Sequence, residues 1–215
     1  MPLTKDGKGH RTTVRSLNAG FLTPEELEDL GIENAKERNI LIHSTAVIVN
    51  FDNIRFGSHI RIDPYVVLSC SDLMIGNFIH IATASGIFGV APIVLGDFSN
   101  LSSKVLIYSS SDDYSGASMT NPTVPELFKK VENATVEIGR HCIIGAQSTV
   151  LPGSILSEGA AVGSGALVKG RLPPWSISVG CPAKPIKERQ RGCLTKEAEL
   201  FNSMSTTQQK LFGRS

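Results

Sequence analysis

His80 and the adjacent carboxylates Asp112 and Asp113 are the residues of this chain with the best-placed chemistry for moving protons. His80 stands directly before Ile81, one of a set of aliphatic residues recurring six apart, so its ring is predicted to point away from the interior. A neutral imidazole titrating near working pH suits removal of a proton from a hydroxyl or an ammonium group. Asp112 and Asp113 lie in Tyr108-Ser109-Ser110-Ser111-Asp112-Asp113-Tyr114, an irregular stretch. A carboxylate there binds and orients a cationic amine better than it deprotonates a hydroxyl. His141 is predicted to point outward by the same counting and to line a neighbouring groove. His10, His43 and His59 gain no role from their positions. The cysteines Cys70, Cys142, Cys181 and Cys193 form no CxxC pair, so neither a metal site nor a disulfide framework is expected.

The elements that must hold these groups follow from a repeat. Ile138, Ile144, Val150, Leu156, Val162 and Val168 form an unbroken series at a spacing of six. The same spacing runs through Phe56, Ile62 and Leu68, then Ile75, Ile81 and Ile87, then Leu95, Leu101 and Ile107, and the register slips by a residue or two between groups. A helix would place apolar residues three and four apart, and a surface strand would alternate for a few residues and stop. A sustained six predicts a solenoid of short strands on flat faces, three faces to a coil. Gly57, Gly76, Gly96, Gly139, Gly145 and Gly163 each follow a repeat aliphatic, where the chain turns a corner. The predicted class is therefore all-β, a parallel β-helix.

Two flanks and one interruption depart from the repeat. Thr23, Pro24 and Glu26 carry the pattern of a capping box with proline at the first helical position, so a short helix is predicted to cover the N-terminal end of the solenoid. The segment from Thr195 to Leu211 has helical composition and ends at Gly213, predicting a second cap or a contact with a neighbour. Ser109 to Lys130 carries no hexad and is predicted to be a loop thrown out of one coil, of the kind that carries function. The expected organisation is a helical cap over 1–38, the β-helix over 39–190 with the loop inserted near 109–134, and a helical tail over 191–215.

Composition narrows the function. With 215 residues, 41% of them hydrophobic, the chain is long enough to bury a core, and its formal net charge of +1 offers no concentrated basic surface for nucleic acid or an anionic membrane. Met1 to Arg15 is polar and basic, and no stretch reaches the roughly 18 uninterrupted apolar residues of a membrane span. A cytoplasmic protein is expected.

The runs Ile138-Gly139-Arg140-His141-Cys142-Ile143-Ile144-Gly145-Ala146, Leu151-Pro152-Gly153, Val162-Gly163-Ser164-Gly165-Ala166-Leu167-Val168 and Gly180-Cys181-Pro182-Ala183-Lys184 together resemble the C-terminal half of hexapeptide-repeat acyltransferases. More narrowly they resemble the sugar O- and N-acetyltransferases of surface-polysaccharide (O-antigen) biosynthesis, over about residues 40–190. The resemblance implies a left-handed β-helix, a homotrimer, and acetyl-CoA lying in the groove between adjacent subunits with each active site shared by two chains. It implies CoA contacts from Ala146, Ser164, Gly165, Ala166 and Lys169. It also implies a phosphate-side turn at Pro182, Ala183 and Lys184, followed by the cations Lys187, Arg189 and Arg191. Small side chains would let the pantetheine arm approach the backbone, and cations suit phosphate.

Maltose and galactoside acetyltransferases carry a catalytic histidine at about the place of Asp112, and this chain has none there. The departure favours a sugar amine over a hydroxyl as acceptor, with Asp112 or Asp113 binding the amine and Tyr114 and His141 contacting the acceptor, a nucleotide-linked amino sugar. The alternative is an O-acetyltransferase with His80 as base. Two more distant functions share the solenoid. A zinc enzyme resembling the γ-class carbonic anhydrases would need His59, His80 and His141 to converge. A non-catalytic assembly module would use the 109–130 loop to hold a partner.

Overall fold

The computed structural model of the chain describes residues 20–204 and 212 and is a parallel β-solenoid. Seven parallel strands stack on the first face: Ile40–Ile42, Ile60–Ile62, Ile79–Ile81, Asn100–Leu101, Ile143–Ile144, Ala161–Val162 and Ser176–Val179. The second face runs from Val47–Val49 through Leu106–Tyr108 to Leu167–Val168, and the third from Ile54–Phe56 through Val136–Ile138 to Arg171–Leu172, six strands each. Lys184–Glu188 turns back antiparallel to Ser176–Val179 and closes the first face.

The repeat aliphatics do turn inward. Ile62, Ile81, Leu101 and Ile144 stand in register on successive strands and are fully buried. Each contributes about 1.5–3 kcal/mol by leaving water. Two of the three corners in each coil have a constant length. The third, between the second and third faces, varies: Leu68 to Ile75 is seven residues, Ile87 to Leu95 eight, and Ile107 to Ile138 thirty-one. The register slips in the sequence are therefore one corner, used repeatedly, and the long loop is its extreme case. Ser110–Ser111 pairs antiparallel with Glu132–Asn133 at the neck of that loop.

The corner glycines are required for a different reason from backbone freedom. None of the six has positive φ. Instead, a Cβ on Gly145 would stand 2.5 Å from Ser164 N and 2.8 Å from Val162 O, and one on Gly139 would stand 2.7 Å from Leu156 O. The next coil's backbone occupies the space. We expect Gly145→Ala to cost about 2–3 kcal/mol by overpacking, whereas Gly163→Ala, which meets the Val179 side chain first, costs less because a methyl can shift. Equal losses in chemical denaturation would refute backbone contact as the cause.

Helix α1 (Pro24–Asp29) has both halves of the predicted capping box: Glu26 N donates to Thr23 Oγ1, and Thr23 N donates to Glu26 Oε2 at 2.7 Å. Leu27, Ile32 and Ala35 extend the core beyond Ile40 and Ile42. Helix α2 (Gly192–Ser203) begins three residues before the predicted Thr195, and residues 205–211 lie outside the described residues. It does not cap an end. It lies along the corner between the third and first faces, where His59, Phe78, Phe98, His141 and Trp175 all adopt left-handed φ between 52 and 59°. Residues in that conformation at successive corners project side by side, so their rings stack: Phe78 on Phe98 at 4.6 Å and 4°, Phe98 on His141 at 4.9 Å and 13°.

Candidate active site

The loop that leaves the coil after Tyr108 folds back over the second face and encloses a cleft of about 690 Å³. Ser111, Asp112, Asp113 and Tyr114 line it from the loop, Lys130 and Glu132 from its returning arm, and Leu151, Pro152, Leu167 and Lys169 from the face beneath. The loop carboxylates and Lys169 therefore share one cleft.

The two aspartates differ. Asp113 is tied into its own loop: Oδ1 accepts from Ser115 N at 2.8 Å, and Oδ2 accepts from Ser118 N at 2.9 Å and Ser118 Oγ at 2.7 Å. These hydrogen bonds, first from Ser115 and then from Ser118, hold its carboxyl far below the usual range, leaving a poor proton acceptor. Asp112 is exposed, and its carboxylate has no hydrogen-bond partner among the described residues. Tyr114, 91% exposed, stands at the rim.

His80 lies outside this cleft, on the outer surface of the first face. Its Nε2 is 2.8 Å from Asp63 Oδ2 and its Nδ1 is 3.0 Å from Asn100 Oδ1, so both ring nitrogens are engaged. Arg61 Nε donates to Asp63 Oδ1 at 2.7 Å. Burial acts to raise the Asp63 carboxyl, but the hydrogen bonds from His80 and Arg61 prevail and hold it below its usual value. Arg61, His80 and Asn100 are register partners on adjacent strands. Their spacing of one coil, 19 and 20 residues, is legible in the sequence once the three positions are taken as one column.

Among the positions expected to contact CoA, Ala146, Ser164 and Gly165 are exposed or half-buried at successive corners between the first and second faces, with Gly165 N donating to Ala146 O at 2.8 Å. Ala166 corrects the expectation: it is buried in the core, because each strand turns two residues inward and Ala166 is the partner of Val168. Ala183 is also buried, its N–H donating to Leu167 O at 2.8 Å, so the 180–184 turn is stacked on the second face with Pro182 and Lys184 exposed.

His141 is nearly covered. It leaves the corner as counted, but α2 covers it, and it is only 7% exposed. Its Nε2 lies 2.8 Å from Glu197 Oε2, and Arg140 pairs with the other oxygen. What remains exposed of it lines a smaller open groove of about 360 Å³ between α2 and the first face, with Asn100, Ile143 and Lys196. His59 and His141 lie in the aromatic corner column and His80 on a flat face, so the three imidazoles do not converge within one chain. No cluster of metal-ligating residues occurs among the described residues.

No family model matches the chain. An Escherichia coli protein named dTDP-4-amino-4,6-dideoxy-D-glucose acyltransferase is 41% identical over 83% of this chain and 93% of its own length. A putative lipopolysaccharide biosynthesis O-acetyl transferase of Escherichia coli K12, WbbJ, is 28% identical over 65% of this chain and 71% of its own. Among solved structures, AntD, an N-acyltransferase from Bacillus cereus in complex with dTDP and 3-hydroxybutyryl-CoA, superposes with a TM-score of 0.81 at 36% identity over 86% of this chain and 98% of that one. AntD has also been solved with one aspartate replaced, and with a serine ten residues before it replaced, the latter in complex with dTDP-4-amino-4,6-dideoxyglucose and Coenzyme A.

Proposed function

Because the chain belongs to the nucleotide-amino-sugar acyltransferases, we propose that it transfers an acyl group from an acyl-CoA to the amine of a nucleotide-linked sugar, a dTDP-4-amino-4,6-dideoxyhexose, in the cytoplasm for surface polysaccharide. The observation that carries this is the cleft under the loop, where an unengaged carboxylate, Asp112, stands with Lys169 and no histidine. An amine attacks a thioester without the strong base that a hydroxyl needs. As the N–C bond forms and the C–S bond breaks, the amine's proton passes to Asp112 and on to the departing CoA sulfur. Asp112 and Asp113 are also the only aspartates in the chain with a serine ten residues ahead, Ser102 and Ser103, matching the spacing of the pair altered in AntD.

Lys184 is a cation for the phosphate end of CoA, Lys169 stands where CoA enters the cleft beside Asp112, and Ala146, Ser164 and Gly165 give the pantetheine a close path past the corner. The working form is a homotrimer with shared sites. The outer side of the second face supports this, since Val47 and Val49 are 53% and 44% exposed on a flat strand. Hydroxyl acylation with His80 as base is disfavoured by its doubly engaged ring.

The test is thiol release from acetyl-CoA and 3-hydroxybutyryl-CoA against dTDP-4-amino-4,6-dideoxyglucose and its 4-hydroxy counterpart. Turnover on the amine with at least about 100-fold less on the alcohol is expected. Preference for the alcohol would overturn the proposal.

A further inference from the structure

The cleft under the loop leaves the array around Asp63 without a task. Arg61 is 55% exposed, and it is fixed rather than waving: Nε is bonded to Asp63, and its guanidinium lies 5.2 Å over the Phe21 ring. Its two terminal nitrogens have no hydrogen-bond partner among the described residues, and the side chain is more than half exposed. A fixed guanidinium with a free fork is a receptor for two oxygens of one anion. Asp63 is fixed in turn by His80, and His80 by Asn100.

Position along the solenoid identifies the anion. Arg61 lies in the second coil, the loop leaves from the fourth, and Lys169 and Lys184 lie in the sixth and seventh. With strands about 4.8 Å apart, Arg61 and the last coil are separated by roughly 24 Å along the axis, and Arg61 and the loop's coil by roughly 10 Å. Cations thus stand on either side of the reacting region, as needed by two anionic substrates entering from opposite ends with their reactive groups meeting between them. CoA takes the C-terminal cations. Along the axis the near side is offset from the loop by about the length of one sugar ring and its phosphate link; Arg61 stands on the first face and the cleft on the second, so the two are brought together across the groove between subunits of the homotrimer proposed above.

We propose that Arg61 is the diphosphate anchor of the nucleotide-linked acceptor, and that Asp63, His80 and Asn100 are positioning residues that hold its guanidinium. This rests on the acceptor being nucleotide-linked, as proposed above.

The experiment is calorimetric titration of the full chain with dTDP, dTMP and CoA, followed by steady-state kinetics on the amino sugar. Arg61→Gln is expected to weaken dTDP by about 10-fold or more, with CoA affinity within about twofold, and Arg61→Lys to recover part of the loss because it restores charge without the fork. dTMP, lacking the second phosphate, should lose less. His80→Ala should raise KM for the acceptor several-fold while lowering kcat by less than about threefold, the split expected of a residue acting on ground-state binding. Melting temperatures of all variants confirm folding. Unchanged dTDP affinity in Arg61→Gln, or an equal loss of CoA affinity, overturns the anchor alone and leaves the amine acylation standing. Wild-type protein that binds no dTDP overturns both.

Discussion

Asp112→Asn is expected to lower kcat on the amino sugar by about 10²–10³-fold, the contribution of one positioned proton acceptor. KM for the acyl-CoA should hardly move, because in the proposed reaction the removed group takes the amine's proton and does not hold the CoA. Asp113→Asn provides the contrast. Its carboxylate closes the loop on Ser115 and Ser118, so its loss should loosen the loop and raise KM for both substrates, with a smaller fall in kcat. The pH response separates the two further. A carboxyl depressed in the folded state contributes stability that is fully present above its unfolded pKa of about 3.9 and is lost only as pH falls toward the folded value. The Asp113 staple should therefore survive through the ordinary carboxylate range, and activity lost on mild acidification will report another group. Retention of more than a tenth of kcat by Asp112→Asn would remove it as proton acceptor.

Phe201→Ala should destabilise the protein by about 3 kcal/mol, as for a buried aromatic removed from a packed site. Phe201 meets the stacked Phe78 and Phe98 edge-on at 6.1 and 6.0 Å. Glu197→Ala should cost about 2 kcal/mol, below the loss for a fully buried pair because Arg140 remains a third exposed. Both changes undock the same helix, so the double variant should lose less than the sum. Denaturation at fixed protein concentration measures all three. Strict additivity would mean that α2 is held residue by residue rather than as a unit.

What could be read in advance follows from how local each signal is. The aliphatic spacing, its slips, the capping box at Thr23 and Glu26, and the excursion after Tyr108 are all written within a few residues, and each appears in the structure. His141 could not be read, because what buries it is a glutamate 56 positions later. The aromatic column could not be read either: bulky residues at positive φ carry no local mark, and only the coil period aligns them. The burial of Ala166 is not marked by the six-residue spacing, which shows one inward residue per strand where the structure has two. Asp112 and Asp113 are indistinguishable as letters, and only Ser118, folding back five residues later, separates the staple from the free carboxylate.

The one corner of variable length carries a consequence for how such enzymes diversify. Two corners of each coil cannot gain a residue without shifting every inward side chain to the wrong position, whereas the third already accommodates seven, eight or thirty-one. Residues added there are invisible to the coils above and below. The loop over the cleft is thus an exchangeable cassette on a scaffold whose arithmetic does not change, and a relative's loop grafted between Tyr108 and Val136 would leave the coils intact while replacing the lining of the cleft.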